Sequence, residues 1–500
     1  MINTNHSHQD CFLKSISVFA FIFMFTACTK ESGNVVPVEL LYATRGNNPG
    51  IYDQNGRYVI LRGVNYNSLG DYWQGNPAYP TVKKYNPDDF RDMARFGMNC
   101  VRLVLSWSAI EPQRGVYNYA YIDSVRKAIE DAAKENIYII LDMHQDAWGK
   151  YIVTPKDVSC TFPNKGWDGA PEWATITNNT STCMTSDFRE SPPAVYHAFH
   201  NLWFNTNGIA DDFASMWKEL VKHTCSYKNV AGYDLFNEPG LGDGPLNLEF
   251  DRYSAVLSKT INAIRAGERE AGGYEHIIIF EHTITWKGEK IPFTPRLDFT
   301  TDNNIIFSAH NYFRDQPETI LSLEQGMELF DLLSKLYQTA FYCGEWLYYE
   351  REYLNRFAAF EDAHFWSDTF WQWAAPPGDP HHVSWQGIPG NMKTTLFVET
   401  DANANFTGIY NEPAAKVVSR AYPRAIQGKP LSLSSNPDNG EFHLTEKTAT
   451  FGITTLWIND KFGEPVINGT NAEVRQIKKV PGGYLADLNV NDIYTIDVTH

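Results

Sequence analysis

Leu235-Phe-Asn-Glu-Pro239 closes a strand-like run that begins at Val230, and Tyr342-Cys-Gly-Glu-Trp346 closes another that begins at Ala340. Each run delivers one glutamate, Glu238 or Glu345, at its C-terminal end. The two lie far apart in sequence, so only a fold that gathers the ends of remote strands brings them together. Reading outward from them, the pattern repeats. Strand-like runs are expected at 59–65, 100–105, 137–144, 230–237, 276–281, 305–310, 340–345 and 369–373. Several are continuously apolar, as parallel strands buried on both faces must be. Helical periodicity lies between them, with apolar stripes at Ile122, Val125, Ile129 and Ala133, and at Tyr253, Val256, Leu257, Ile261 and Ile264. Strand followed by helix, eight times over, predicts an α/β chain whose catalytic body is a (β/α)8 TIM barrel over 46–424.

After Tyr422-Pro-Arg424 the period changes. Glu441-Phe-His-Leu-Thr445, Thr454-Thr-Leu-Trp-Ile458 and Gly483-Tyr-Leu-Ala-Asp-Leu488 alternate, with turns such as Pro437-Asp-Asn-Gly440 between them. Residues 425–500 are therefore expected to form a small β-sandwich packed on the barrel. At the other end, Lys14 precedes the apolar run 16–25, too short to cross a bilayer. The run ends Phe25-Thr-Ala-Cys28, which resembles a bacterial lipoprotein signal whose cysteine is lipidated. Thr29-Lys-Glu31 resembles a surface-export tag. Residues 1–28 are read as this signal segment and 29–45 as a polar tether, giving an exported lipoprotein at the outer membrane or cell surface.

The 500 residues carry a formal charge of −17, which argues against nucleic acid or anionic membrane as an electrostatic partner. Membrane contact is expected only through the lipid anchor and the substrate. Aromatic residues reach 14%, with 14 Trp and 27 Tyr. They suit a carbohydrate cleft or simply a large barrel core. Two inserts, 146–206 after the third run and 374–400 after the eighth, belong to rim loops where barrel enzymes bind substrate. The first holds Trp148, Trp167, Trp173 and Trp203, and also Cys160 and Cys183, which would staple it if oxidised. Cys100 and Cys343 fall inside strands and read as buried thiols. No Cys/His cluster has metal-ligand spacing, and no cofactor motif is present.

Polar or aromatic residues recur at the strand ends: Asn65, Arg102, His144 within Asp142-Met-His-Gln-Asp146, Asn237-Glu238, His310-Asn-Tyr312, Glu345 and Trp373. Two converging carboxylates are what glycosidic bond cleavage requires: one protonates the leaving oxygen, and the other attacks the sugar or activates water. With Val101-Arg-Leu, Asp142-Met-His-Gln, Phe236-Asn-Glu-Pro, Ala309-His-Asn-Tyr and Gly344-Glu-Trp in order, the chain resembles glycoside hydrolase family 5. His144-Gln-Asp and the exit segment, Asn411-Glu-Pro and then Arg420-Ala-Tyr-Pro-Arg-Ala-Ile-Gln-Gly428, make it most similar to the endoglycoceramidases there. The resemblance implies a retaining double displacement with Glu238 as acid/base and Glu345 as nucleophile. It also implies Asn237 on the sugar 2-hydroxyl, Arg102 and Tyr312 orienting Glu345, His144 and His310 bordering the reacting sugar, and Trp373 as its platform. Asp142 suits either a sugar hydroxyl or a buttressing role.

One departure stands out. Endoglycoceramidases carry a basic residue shortly after the strand-one Asn, where this chain reads Asn65-Tyr-Asn-Ser-Leu. Glu412 copies the acid/base tripeptide but follows no apolar strand and is expected to be non-catalytic. The expected substrate is a glycosphingolipid, cut between oligosaccharide and ceramide. The alternatives are a β-glycosidase on polysaccharide or a simple glucosyl lipid, and a non-catalytic glycan-binding lipoprotein.

Overall fold

The eight apolar runs form eight strands, each hydrogen-bonded in parallel to its neighbours, and they close on themselves. They are Arg62–Tyr66, Cys100–Ser106, Tyr138–His144, Val230–Asp234, Ile277–Glu281, Ile305–Asn311, Phe341–Trp346 and Ser367–Phe370. The computed structural model describes residues 38–284, 294–315, 319–383 and 397–500. Cys28, the signal segment and all but the last part of the tether lie outside the described residues. Ile277-Ile-Ile-Phe-Glu281 shows why such runs become barrel strands: every residue is buried, and β-branched side chains pack well on a pleated surface.

The helices between them bury the stripes read from the sequence. Tyr119–Lys134 buries Ile122, Val125 and Ile129, with Ala132 taking the place expected of Ala133. Leu246–Ala271 buries Tyr253, Val256, Leu257, Ile261 and Ile264. Leu323–Tyr337 starts on a capping box, in which Ser322 accepts from the Gln325 amide while Gln325 accepts from the Ser322 amide. Among the described residues no helix is long and apolar enough to cross a membrane.

The C-terminal sheet is larger than the sequence suggested. Leu41–Thr44, Gly50–Asp53 and Tyr58–Val59 join Tyr422–Ile426, Gly452–Asn459, Gly483–Thr499, Phe442–Lys447, Lys429–Ser435 and Val466–Val480 in one nine-stranded sheet. Gly483–Thr499 pairs with Gly452–Asn459 through its first half and with Phe442–Lys447 through its second. Leu444, Leu456, Trp457, Leu488 and Ile496 from both halves share one core. The boundary expected at 46 therefore falls among strands of this sheet, and the one expected at 424 cuts Tyr422–Ile426. The short strands near residue 50 alternate too briefly to reveal a partner that lies hundreds of residues later.

This sheet covers the floor of the barrel, where the strands begin. Tyr58 donates to the Phe365 carbonyl and Tyr422 to the Gly97 carbonyl, each just before a barrel strand. A fully buried ion cluster holds the junction. Arg62 and Arg420 share Asp362, at 2.9 and 2.8 Å, and both also meet Glu361.

Candidate active site

At the opposite end the strand termini converge. Arg102, on the second strand and fully buried, points its guanidinium across the barrel. It donates to Asp234 (2.9 Å), Asn65 (3.1 Å), Asp142 (2.9 Å), Asn237 (2.8 Å) and Glu345 (2.9 Å). One side chain thus fixes residues from four other strands and the loop after the fourth. Such a hub is stable only because the planar guanidinium offers five donors in a rigid fork. Asn65 also donates to the Gly344 carbonyl, locking the first strand to the backbone just before Glu345.

Glu345 receives a second short bond, 2.6 Å, from the Tyr312 hydroxyl. His310 stands beside Glu345 in register on the neighbouring strand, where a bulge between Ala309 and His310 shifts the pairing. Its ring contacts Glu238 at 2.9 Å, Glu281 at 3.1 Å and Glu345 at 3.5 Å. One carboxylate oxygen of Glu238, one of Glu345 and a His310 nitrogen lie within 4.8 Å of one another. The two remote glutamates do meet.

Glu238 sits in a left-handed backbone conformation, φ +39°, which costs a non-glycine residue about 1–3 kcal/mol. Gln145 holds it there by donating to the carbonyls of both Asn237 and Glu238 at 2.8 Å, while the Glu238 amide donates to Glu281 at 2.9 Å. The second residue of the His-Gln-Asp sequence is thus a clamp on the backbone of Glu238.

The electrostatics follow from burial. It pushes Asp142 up to about 7 and Asp234 well above the carboxylate range, against the pull of Arg102. Burial pushes Glu345 up too, opposed by His310 and Arg102. Burial would raise Glu281 as well, but the His310 ring and Arg102 bring it down to about 2. His310 is held well above the ordinary histidine range: burial disfavours its charge, and Glu281 and Glu345 overcome that. His310 and Arg102 are thus the cations that hold Glu281 ionised and oppose the effect of burial on Glu345.

One reading changes. Trp373 is not at the site. Its strand ends at Phe370, three residues sooner than expected, and the ring is buried in a stack on Phe397 with centroids 5.3 Å apart. Trp371 takes the place instead, stacked on His144 at 5.2 Å with 11° between planes. Asp142 accepts from Arg102 and contacts the His144 ring at 2.7 Å. Fully buried, it buttresses those side chains and faces no cleft. Glu412 opens a short helix whose N-cap is Asn411, so the repeated tripeptide is a helix start.

The inserts supply what the strands do not. Cys160 and Cys183 are joined in a disulfide. Trp148 and Trp203 pack into the core, and Trp173 packs against Trp107, so they line no channel. Trp167 does face the site, 5.7 Å from His381 and 5.2 Å from Arg189. Arg189 pairs with Glu238 at 2.6 Å, with Glu190 at 2.5 Å, and with Asp146. His381 bridges Asp379 (2.7 Å) and Asp146, and those carboxylates outweigh burial to push it up to about 10. His144, Asp146, Asp168 and His381 have the geometry of a metal cluster, but Arg189 and His381 already supply cations there. Both oxygens of buried Asp168, with Asn67 Oδ1 and Gln372 Oε1, have no hydrogen-bond partner among the described residues. Of the residues missed in the sequence, Glu281 was within reach, because it ends an apolar strand as Glu345 does. Arg189 and His381 lie in inserts without periodicity.

The family profile described as Cellulase (glycosyl hydrolase family 5) matches residues 52–328. The chain belongs to glycosyl hydrolase family 5. It is a glycosidase. Endoglycoceramidase I of Rhodococcus hoagii is 27% identical over 277 residues, 52% of this chain and 51% of that protein. The chain thus spans about half the length of that relative. The endoglycoceramidase of Cyanea nozakii is 25% identical over 446 residues, 81% of each. A crystal structure of an endogalactoceramidase superposes with a TM-score of 0.82 at 30% identity, covering 92% of this chain and all of that one.

Proposed function

We propose that this family 5 glycosidase cleaves the β-linkage between an oligosaccharide and ceramide, releasing the glycan intact. The observation that carries the reading is the carboxylate pair: oxygens of Glu238 and Glu345 lie within 4.8 Å of each other, well short of the roughly 6.5–9.5 Å between carboxyl groups that inverting enzymes keep. Carboxyl groups about 5–5.5 Å apart belong to retaining enzymes. Glu345, held by Arg102 and Tyr312, attacks the anomeric carbon. Glu238 protonates the departing ceramide oxygen and then deprotonates the water that releases the sugar. Asn237, pinned by Arg102, is placed for the sugar 2-hydroxyl. Trp371 gives the ring a flat face. The endoglycoceramidase and endogalactoceramidase relatives support the ceramide aglycone.

Incubating the full chain with glucosyl- and galactosyl-linked glycosphingolipids, and resolving the products by thin-layer chromatography, tests this. Free oligosaccharide and ceramide are expected from at least one series. Cleavage of soluble polysaccharide with every glycolipid left intact would transfer the reading to a polysaccharide β-glycosidase. The motif at Cys28 supports an exported lipoprotein at the outer membrane or cell surface. Metabolic labelling with a radioactive fatty acid should mark the wild type and leave Cys28→Ala unlabelled.

A further inference from the structure

Outside the catalytic cluster, the helix Pro193–Trp203 presents His197 and His200 one turn apart on the same face. The loop that follows Glu238 and Pro239 runs past them, and its Asp243 meets both rings: Oδ2 is 2.6 Å from His197 Nδ1 and Oδ1 is 3.5 Å from His200 Nδ1. Glu249, near the start of the next helix, brings Oε1 to 2.7 Å from the same His200 nitrogen. One ligand atom each from His200, Asp243 and Glu249 fall within 4.8 Å of one another. Tetrahedral zinc with bonds of about 2.0–2.1 Å sets its ligand atoms about 3.3 Å apart, so the cluster has the right scale.

Two further observations point to a bound cation. Glu249 is 2% exposed, yet its Oε2 has no hydrogen-bond partner among the described residues. Burying a carboxylate oxygen without a partner is costly. The loop is also shaped to close over it. A Cβ at Gly242 would come within 2.4 Å of a Glu249 oxygen, and one at Gly244 within 2.4 Å of the other oxygen and 3.1 Å of the His200 ring.

We propose that His200, Asp243 and Glu249, with His197 alongside, bind one divalent transition ion of the zinc class. Mixed imidazole and carboxylate donors favour such ions over calcium or magnesium. The ion ties the loop leaving Glu238 to the insert helix and takes no part in bond cleavage. The proposal stands independently of which glycoside is cut.

The test is isothermal titration of the chelator-stripped full chain with Zn2+ alone, with melting temperature followed in parallel. One ion per chain and a rise in melting temperature are expected. Asp243→Asn and His200→Asn should each weaken binding at least tenfold and abolish the rise. The Asp243 side chain is 42% exposed, so its replacement leaves the core intact. His443→Asn, which alters a surface His–Asp pair in the C-terminal sheet, should bind as wild type. No saturable zinc binding, binding undiminished in Asp243→Asn and His200→Asn, or equal affinity for Ca2+ would each overturn the assignment.

Discussion

Tyr312→Phe isolates one oxygen of the nucleophile. The hydroxyl donates to Glu345 Oε2 at 2.6 Å, while Arg102 holds Oε1 at 2.9 Å and the His310 ring stands off at 3.5 Å. Removing it leaves Oε2 without a short donor. Hydrogen bonds to charged groups are worth about 1.5–3 kcal/mol, which at ~1.4 kcal/mol per decade corresponds to a loss of roughly 10–100-fold in kcat/KM. The ring stays, so melting should hardly change. The assay compares a ceramide-linked glycolipid with an aryl β-glycoside whose leaving group needs no proton. Tyr312 touches the nucleophile, so both substrates should suffer alike. Glu238→Gln should instead spare the aryl glycoside in the first step. A loss under about threefold in kcat/KM, or one confined to the glycolipid, would refute the placement of Tyr312 on a charged nucleophile.

Trp371→Ala should raise KM and cut kcat, whereas Trp373→Ala, emptying a buried site, should lower stability by about 3–5 kcal/mol with KM of the folded enzyme unchanged; steady-state kinetics and melting curves separate the two. Burial pushes Glu446 up to about 9 from 4.5, and neither oxygen has a hydrogen-bond partner among the described residues. Its folded-state pKa is raised, so stability is intact below the unfolded value and falls as pH climbs towards the folded one, by ~1.4 kcal/mol per unit and ~3 kcal/mol by pH 7. Glu446→Gln should therefore melt higher than wild type at pH 8 and level with it at pH 4; equal melting at both would disprove a buried neutral carboxyl. Asp362→Ala strips Arg62 and Arg420 of a shared partner and should cost ~3–5 kcal/mol by denaturant titration, with a cost under about 1 kcal/mol contradicting the buried pairing.

The barrel was legible because each strand announces itself: a buried parallel strand must be apolar throughout, and its end must carry whatever chemistry the mouth needs. That logic located Glu238, Glu345, Arg102, Tyr312, His144 and His310, which the structure gathers at one point. It failed where the period stops. Trp371 and Trp373 sit at the same parity beyond Phe370, and nothing local tells which turns inward once the ladder has ended. Arg189 and His381 come from loops whose conformation is set by ion pairs that do not repeat along the sequence. The strands at 41–59 were missed because pairing partners in a sheet carry no address in the chain.

That last pairing governs how the molecule is made. A ribosome delivers residues 41–59 first and residues 422–499 last, and the two ends are laid side by side in a single sheet. All eight barrel strands are complete by Phe370, but their floor stays bare until the final hairpin emerges. Cutting the chain after the barrel would not yield a self-sufficient enzyme: it would strip Tyr58–Val59 of its partner Tyr422–Ile426 and leave two buried arginine-binding carboxylates open to water. Dissection of this protein has to respect a seam sewn from both ends.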